Sequence, residues 1–190
     1  MALFAEHGLN EAKLQSPHIF NTRMKSVEPR SFSYITNNIN EKAVASLNQT
    51  GGTGFTLSPL FRFHNDDHGC DPTGLGWWMY THFRGKGHTT VCMISAYQLC
   101  KNKRDYGSVW NQHCQYLCDH RNIVDPDHRA IFDAELLEEV RVRMNTGDSV
   151  VLGVDNNSDV CTNVLAKGLE DLGLHETILS LHAPASSPAT

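Results

Sequence analysis

The run Val150-Val151-Leu152-Gly153-Val154-Asp155-Asn156-Asn157 constrains the fold more than any other segment of this chain. A short, valine-rich apolar run predicts a buried strand, and this strand ends abruptly on a carboxylate and two amides. Side chains alternate along a strand, so Asp155 and Asn157 are expected on one face of the sheet. Open α/β sheets carry their binding and catalytic groups at such strand ends, which makes this pair the first candidate site.

A purely structural role stays open for this segment, because Asp and Asn also follow strands as turn residues and helix caps. Ser158 or Asp159 is the candidate cap of a helix over residues 160–172, with Gly173 as its stop. In a site, an aspartate can bind a hard cation or polarise a water, and an asparagine can donate to a phosphate oxygen. The strand end alone does not decide between these roles.

Length and composition indicate one ordinary globular domain, with 190 residues of which 40% are hydrophobic and 19% charged. The formal net charge of −5 argues against wholesale coating of nucleic acid, but two local basic clusters remain: Arg84 with Lys86, and Lys101, Lys103 and Arg104.

No run approaches the roughly 20 apolar residues of a membrane span, and the amino terminus lacks a signal-peptide layout. We therefore expect no membrane partner and a soluble, intracellular location, cytoplasmic or nuclear. The six cysteines lack a short-spaced framework, which favours reduced thiols.

Strands and helices are predicted to alternate along the chain. Residues 1–5 form a strand that stops on Glu6, residues 10–48 are loops around short elements, and a glycine-rich turn leads into a strand at 55–58. Residues 77–84 and 89–98 form a hairpin, and helices follow over 108–120 and 127–145, the latter stopped by Gly147. The apolar face predicted for the second helix is Ile131, Ala134, Leu137 or Leu136, Val140 and Met144. This order predicts an α/β fold of mixed sheets flanked by helices.

Several segments in this order resemble the endonuclease/exonuclease/phosphatase superfamily, which has the DNase I-like fold, and its retroelement-type endonuclease branch in particular. They are Phe4 to Asn10, Gly51-Gly52-Thr53-Gly54, Gly69 to Gly76, Ser95-Ala96-Tyr97 and Gly153 to Asn157. The resemblance implies a DNase I-like α/β sandwich over residues 1–182, followed by a Pro/Ser/Ala-rich tail at 183–190. It implies a partial domain, because the family's upstream Asn strand and its terminal Ser-Asp-His element have no counterpart here. Smaller departures are Gln98-Leu99 where relatives carry Arg-Pro, and Trp77 where an Arg is common.

The resemblance also implies roles for individual residues. Glu6 matches the family's glutamate that binds the catalytic Mg²⁺, or Mn²⁺ in its place. Tyr97 matches a tyrosine that contacts the scissile phosphate. Asp155 matches the aspartate that activates the attacking water, and Asn157 matches the asparagine that orients the phosphate. The expected function is a Mg²⁺-dependent endonuclease acting on nucleic acid, with DNA as the expected partner.

Other interpretations remain open at this point. One alternative is a catalytically inactive remnant or interaction domain with the same fold, and a weaker one is a phosphatase or phosphodiesterase for a small or lipid substrate. Zinc is disfavoured, because two groups of candidate ligands lack paired metal-ligand spacing: Cys114 and Cys118 with His113 and His120, and Cys70 with His64 and His68. The aromatic residues Trp77, Trp78 and Tyr80 could stack on bases, although alternating aromatics in a strand usually pack the sheet.

Overall fold

The fold is known from a computed structural model, which describes residues 2–5, 32–37, 52–100, 108–157 and 163–177. The amino-terminal half builds an antiparallel sheet from β1 (Ala2–Ala5), β2 (Phe32–Asn37) and β3 (Gly52–Leu57), in the order β1-β3-β2. The predicted strand at the amino terminus is therefore confirmed. β2 lies within the stretch for which the sequence predicted mainly loops, and the residues around it lie outside the described ranges.

A second sheet contains four strands in the order β4-β5-β6-β7. A single helical turn, α1 (Pro59–Arg62), leads into β4 (Asn65–Cys70), which pairs antiparallel with β5 (Trp78–Arg84). β5 and β6 (Thr90–Tyr97) form the predicted hairpin, and β7 (Ser149–Asp155) joins β6 in parallel. The sheet is thus mixed, as expected for the predicted α/β class.

Three helices complete the described part of the chain: α2 (Val109–Arg121), α3 (His128–Asn145) and α4 (Val164–Asp171). The polar residues that cap the starts of these helices are Ser108, Asp127 and Asn163, respectively. The side chain of each cap accepts a hydrogen bond from a backbone N–H in the first turn, which the helix itself leaves unpaired. The predicted start of the last helix at residue 160 is therefore wrong. Its cap is Asn163, while Ser158 and Asp159 lie outside the described residues.

The predicted helix stops are confirmed by their backbone angles. Gly147 follows α3 with φ of 93°, and Gly173 follows α4 with φ of 88°. A side chain would be strained in this left-handed region, whereas glycine adopts it freely, so the helix can close its last turn there. The two helices consequently end where the sequence places glycine.

The elements pack in three layers, with the four-stranded sheet in the middle. Alternate residues of β5 face opposite ways, so that Trp78 packs toward the helices and Met79 packs toward the first sheet. On the first-sheet side, Met79 joins Phe55, Leu57 and Phe83 in a buried cluster. The helix side holds the larger cluster, contributed by strands and all three long helices: Leu75, Trp77, Trp78, Cys92, Ile94, Ala96, Leu117, Phe132, Leu136, Val140 and Leu165. Trp77 and Trp78 are buried there, consistent with the packing role favoured from the sequence.

The buried face of α3 differs from the predicted one. His128, Phe132, Leu136 and Val140 are fully buried, at steps of four residues, while Ala134 is exposed. Ile131, Leu137 and Met144 are partly buried at the borders of this face. Val140 and Leu136, the latter one of two alternatives, are thus confirmed, whereas Ala134 is wrong. The predicted stripe also omitted His128 and Phe132, which the aromatic cluster of the core accommodates.

β4 was not predicted, because its sequence Asn-Asp-Asp-His-Gly-Cys has no apolar alternation. It is an edge strand in the described part of its sheet, and most of its residues are exposed. The pairing of β4 with β5 makes it a strand without a hydrophobic pattern, and its charged and polar residues discourage pairing of this edge with other chains. Within the described ranges, no helix has the length and apolarity needed to cross a membrane. In the described part of the chain these cysteines form no disulfide: Cys70, Cys92, Cys100, Cys114 and Cys118.

Candidate active site at the strand ends

The parallel pairing of β6 and β7 brings two of the predicted site residues together. Parallel strands end at the same rim of a sheet, and the register here places Tyr97 directly opposite Asp155. The Gln98 backbone N–H donates to the Asp155 carbonyl oxygen at 2.8 Å, which extends the pairing past the end of β6. Alternation along the strands puts Tyr97 and Asp155 on the same face as Ser95, the face that looks toward the first sheet. The strand predicted at 150–157 therefore ends beside the strand that carries Tyr97.

Asn157 reaches the same rim through a tight turn, because β7 ends at Asp155. The predicted placement of Asp155 and Asn157 by alternation along one strand is therefore wrong. Its φ is 47°, in the left-handed region that asparagine tolerates better than most residues. The Asn157 backbone N–H donates to Oδ1 of Asp155 at 3.3 Å, and its side-chain Nδ2 donates to the Gln98 carbonyl oxygen at 2.7 Å. The turn role that the sequence left open is thus confirmed, and this turn directs the Asn157 amide to the rim.

Tyr97 is held firmly at its position. Its backbone N–H donates to the Trp77 carbonyl oxygen at 2.9 Å, and its side chain packs with Leu99 and Trp110. Only 6% of its surface is exposed. A ligand at the rim would therefore reach little more than one edge of this residue.

The first sheet reaches the rim through β3 and β1. The hydroxyls of Thr53 and Ser95, both almost fully buried, are hydrogen-bonded to each other across the space between the two sheets. Ala5, the last described residue of β1, pairs with Thr53. Since Ser95 lies two residues before Tyr97, the end of β1 lies at the same rim as the ends of β6 and β7. Glu6 itself, the predicted metal ligand, lies outside the described residues.

Helix α3 contributes side chains that the sequence analysis missed. Nε2 of Gln98 donates to Oδ1 of Asp133 at 2.7 Å, and the Arg129 guanidinium donates to the Asn157 carbonyl oxygen at 3.3 Å. Burial raises the pKa of Asp133 to about 6, against the opposing effects of the Gln98 hydrogen bond and the Arg129 charge. The only sequence pattern that could have predicted a role for Arg129 and Asp133 is their i, i+4 spacing near the start of α3. Such spacing is common on solvent-exposed helices, so it is a weak signal.

The chemistry at the rim suits a hard cation. Mg²⁺ prefers oxygen ligands and is usually bound by one or two carboxylates with several waters retained. Asp155 supplies a carboxylate and Asn157 an amide oxygen, so the residue types fit, with Glu6 as the further carboxylate that the resemblance implies. In the portion of the chain that the structure describes, no group of three or more His, Cys, Asp or Glu side chains is arranged to hold a metal.

The two groups of candidate zinc ligands have other surroundings. His113 points into the core, where its Nδ1 lies 3.0 Å from Nε2 of His128 and 3.1 Å from Nε1 of Trp77. His120 bonds the Tyr116 carbonyl oxygen through Nδ1 at 3.1 Å and stacks on the Tyr116 ring. His64, His68 and Cys70 are exposed, on β4 or next to it.

Tyr97, Asp155 and Asn157 thus meet at one rim. The basic cluster at 101–104 lies outside the described residues, whereas Arg84 is 72% exposed and pairs with Asp66 at 2.5 Å. Comparisons with protein-family models, with curated proteins and with solved structures found no match.

Proposed function

We propose that this chain is a Mg²⁺-dependent phosphodiesterase domain that cleaves nucleic acid, with DNA as its substrate. The observation that carries the proposal is the meeting of Tyr97, Asp155 and Asn157 at the common end of two parallel strands. A carboxylate, an amide and a phenol at one sheet rim form a set suited to binding and hydrolysing a phosphodiester.

The proposed roles follow from what in-line attack on a phosphodiester requires. A carboxylate must accept a proton from the attacking water, which is the role of Asp155. Hydrogen-bond donors must hold the charged oxygens of the transition state, and Asn157 and Tyr97 carry these groups. When bound, Mg²⁺ would neutralise charge on the phosphate oxygens, and Glu6 is its proposed principal ligand.

The layer arrangement supports the proposed DNase I-like fold. Two sheets pack face to face with helices outside, and the ends of β1, β6 and β7 converge. In such a sandwich the chemistry would lie at the sheet ends between the two layers.

Local positive charge favours nucleic acid over a small substrate. Arg129 lies at the rim, where its guanidinium is within hydrogen-bond distance of the Asn157 main chain. Backbone phosphates are bound mainly through Lys and Arg, so a cation beside the reacting groups suits a polynucleotide.

One observation favours the rival proposal, a non-catalytic domain of the same fold. Tyr97 is almost fully buried, and the Asn157 amide already donates to a main-chain carbonyl. A site in which these groups serve packing alone would look similar. The two proposals differ in turnover, which makes an activity assay the decisive measurement.

The test is nicking of supercoiled plasmid by the purified chain with Mg²⁺. We expect nicking that is abolished by EDTA and by Asp155→Ala but retained by Asp171→Ala, which removes an exposed carboxylate at the end of α4. Circular dichroism of each variant establishes that it is folded. A folded wild-type chain that fails to nick would refute the proposal in favour of the non-catalytic domain, and nicking that survives Asp155→Ala would refute the catalytic role of Asp155.

A further inference from the structure

A closed hydrogen-bonded network joins the two strand ends to helix α3. Gln98 Nε2 donates to Asp133 at 2.7 Å, Asn157 Nδ2 donates to the Gln98 carbonyl oxygen at 2.7 Å, and Arg129 donates to the Asn157 carbonyl oxygen at 3.3 Å. Arg129 and Asp133 lie one turn apart on α3, and their opposite charges interact. The network therefore returns to the helix on which it begins.

Gln98 is the central member of this network because three of its groups are engaged. Its backbone N–H donates to Asp155, its carbonyl accepts from Asn157, and its side chain donates to Asp133. Gln98 is only 1% exposed, so water cannot readily replace a lost partner. Removing the Asp133 carboxylate would leave the buried Gln98 amide unpaired and free the residue to shift.

We propose that Asp133 and Gln98 are positioning residues for Asn157, holding its side-chain amide in the orientation that phosphate cleavage requires. This inference rests on the proposed phosphodiesterase activity and deepens it. Neither residue touches the substrate. They act by fixing the carbonyl that binds one of the two Nδ2 hydrogens of Asn157, so that the other hydrogen keeps a single direction.

The arrangement also accounts for the glutamine that follows Tyr97. Its neutral amide donates to Asp133 while its main chain pairs with Asp155 and Asn157, so that the residue bridges helix α3 and the strand ends. The positive charge at this rim is instead carried by Arg129, from the helix. Gln98 therefore supplies the bridging amide of this rim, and Arg129 supplies its cation.

The test compares kcat and KM for Asp133→Ala, Asp133→Asn and Gln98→Ala on the plasmid substrate. Loss of a supporting hydrogen bond at a site of this kind typically costs about 10–100-fold in activity, so we expect kcat to fall about tenfold or more in Asp133→Ala and Gln98→Ala. KM should change little, because the lost orientation acts in the transition state. Asp133→Asn keeps an oxygen that accepts from Gln98 and should restore most of kcat.

Two further measurements separate positioning from general destabilisation. The Gln98→Ala/Asp133→Ala double variant should lose no more kcat than either single variant, because both changes break the same connection. Glu138→Gln, on an exposed part of the same helix, is the matched control and should keep wild-type kcat. Activity of wild type and Asp133→Asn across pH 5 to 7 adds a second readout, since only the wild type has a carboxyl at this position, facing Arg129, Asp127 and Gln98.

The outcomes are distinguishable. An inactive wild-type chain refutes the proposed function, and the positioning role falls with it. An active wild type whose Asp133→Ala and Gln98→Ala variants keep full kcat overturns the positioning role alone. Losses that simply add in the double variant, or that Asp133→Asn does not relieve, would likewise overturn it.

Discussion

Acid should destabilise this protein through a pair of buried histidines. Nδ1 of His113 and Nε2 of His128 lie 3.0 Å apart, and the Trp77 indole N–H is 3.1 and 3.2 Å from them. The remaining ring nitrogens, Nε2 of His113 and Nδ1 of His128, are buried without a hydrogen-bond partner among the described residues. Burial lowers the pKa of His113 well below 6.5, with the neighbouring His128 adding to the effect. Burial, followed by the Arg129 charge, lowers the pKa of His128 from 6.5 to about 4.

The sign and size of the effect follow from proton binding. Above pH 6.5 both histidines are neutral in either state, and the full stability is present. As the pH falls from 6.5 toward 4, the unfolded chain binds protons that the folded chain does not, so the free energy of unfolding drops by about 1.4 kcal/mol per pH unit for each histidine. For His128 the total is about 3 kcal/mol, a large share of the roughly 5–15 kcal/mol that stabilises a typical domain.

Asp133 opposes this trend. Its pKa is raised from 3.8 to about 6, so it contributes stability that is present below pH 3.8 and is lost as the pH rises through 6. Between these values acidification strengthens its contribution while weakening that of the histidines. The slope of the free energy of unfolding against pH is therefore the sum of the Asp133 and histidine contributions. The histidine contribution is obtained by comparing the slopes of the wild type and of variants that lack one histidine.

The assay is urea unfolding followed by tryptophan fluorescence between pH 7 and about 4, for wild type, His128→Gln and His113→Gln. Each variant lacks one of the two titrating groups, so we expect its stability to fall less steeply with acid, by about 1.4 kcal/mol per pH unit. Equal slopes in wild type and both core variants would refute the argument, whatever the stabilities at neutral pH.

Two further predictions concern the core and the metal. Phe132→Ala should lower the free energy of unfolding by about 3–5 kcal/mol, because Phe132 is fully buried and packs edge-on against two tryptophan rings at 5.9 and 6.3 Å. Each kcal/mol lost should lower the melting temperature by roughly 2–4 °C. The same change at Phe63, which is 84% exposed, should cost no more than about 0.5 kcal/mol, and equal losses in thermal melts would contradict the described packing. Glu6→Gln should weaken Mg²⁺ binding in titration calorimetry, whereas Glu170→Gln, at an exposed position on α4, should leave it unchanged. An unchanged Mg²⁺ affinity in Glu6→Gln would show that Glu6 is not a ligand.

Local patterns were sufficient for much of the fold. The hairpin of β5 and β6, the helices α2 and α3, and the glycine stops after α3 and α4 all depend on residues close together in the chain. β4 escaped prediction because its pairing with β5, rather than its own side chains, makes it a strand. The buried face of α3 was predicted only in part, because the core accepts a histidine and a phenylalanine that a simple apolar stripe omits.

The sequence by itself determined that an apolar strand ends on Asp155 and Asn157, and that another ends on Tyr97, because alternation and turn preference are local properties. Only the tertiary structure decided that these ends are neighbours. The parallel register of β6 with β7 sets Tyr97 opposite Asp155, and the docking of α3 brings Asp133 to Gln98 across 35 positions of sequence. Such contacts depend on how whole layers pack, since a one-residue change of register would turn the same side chains to the opposite face.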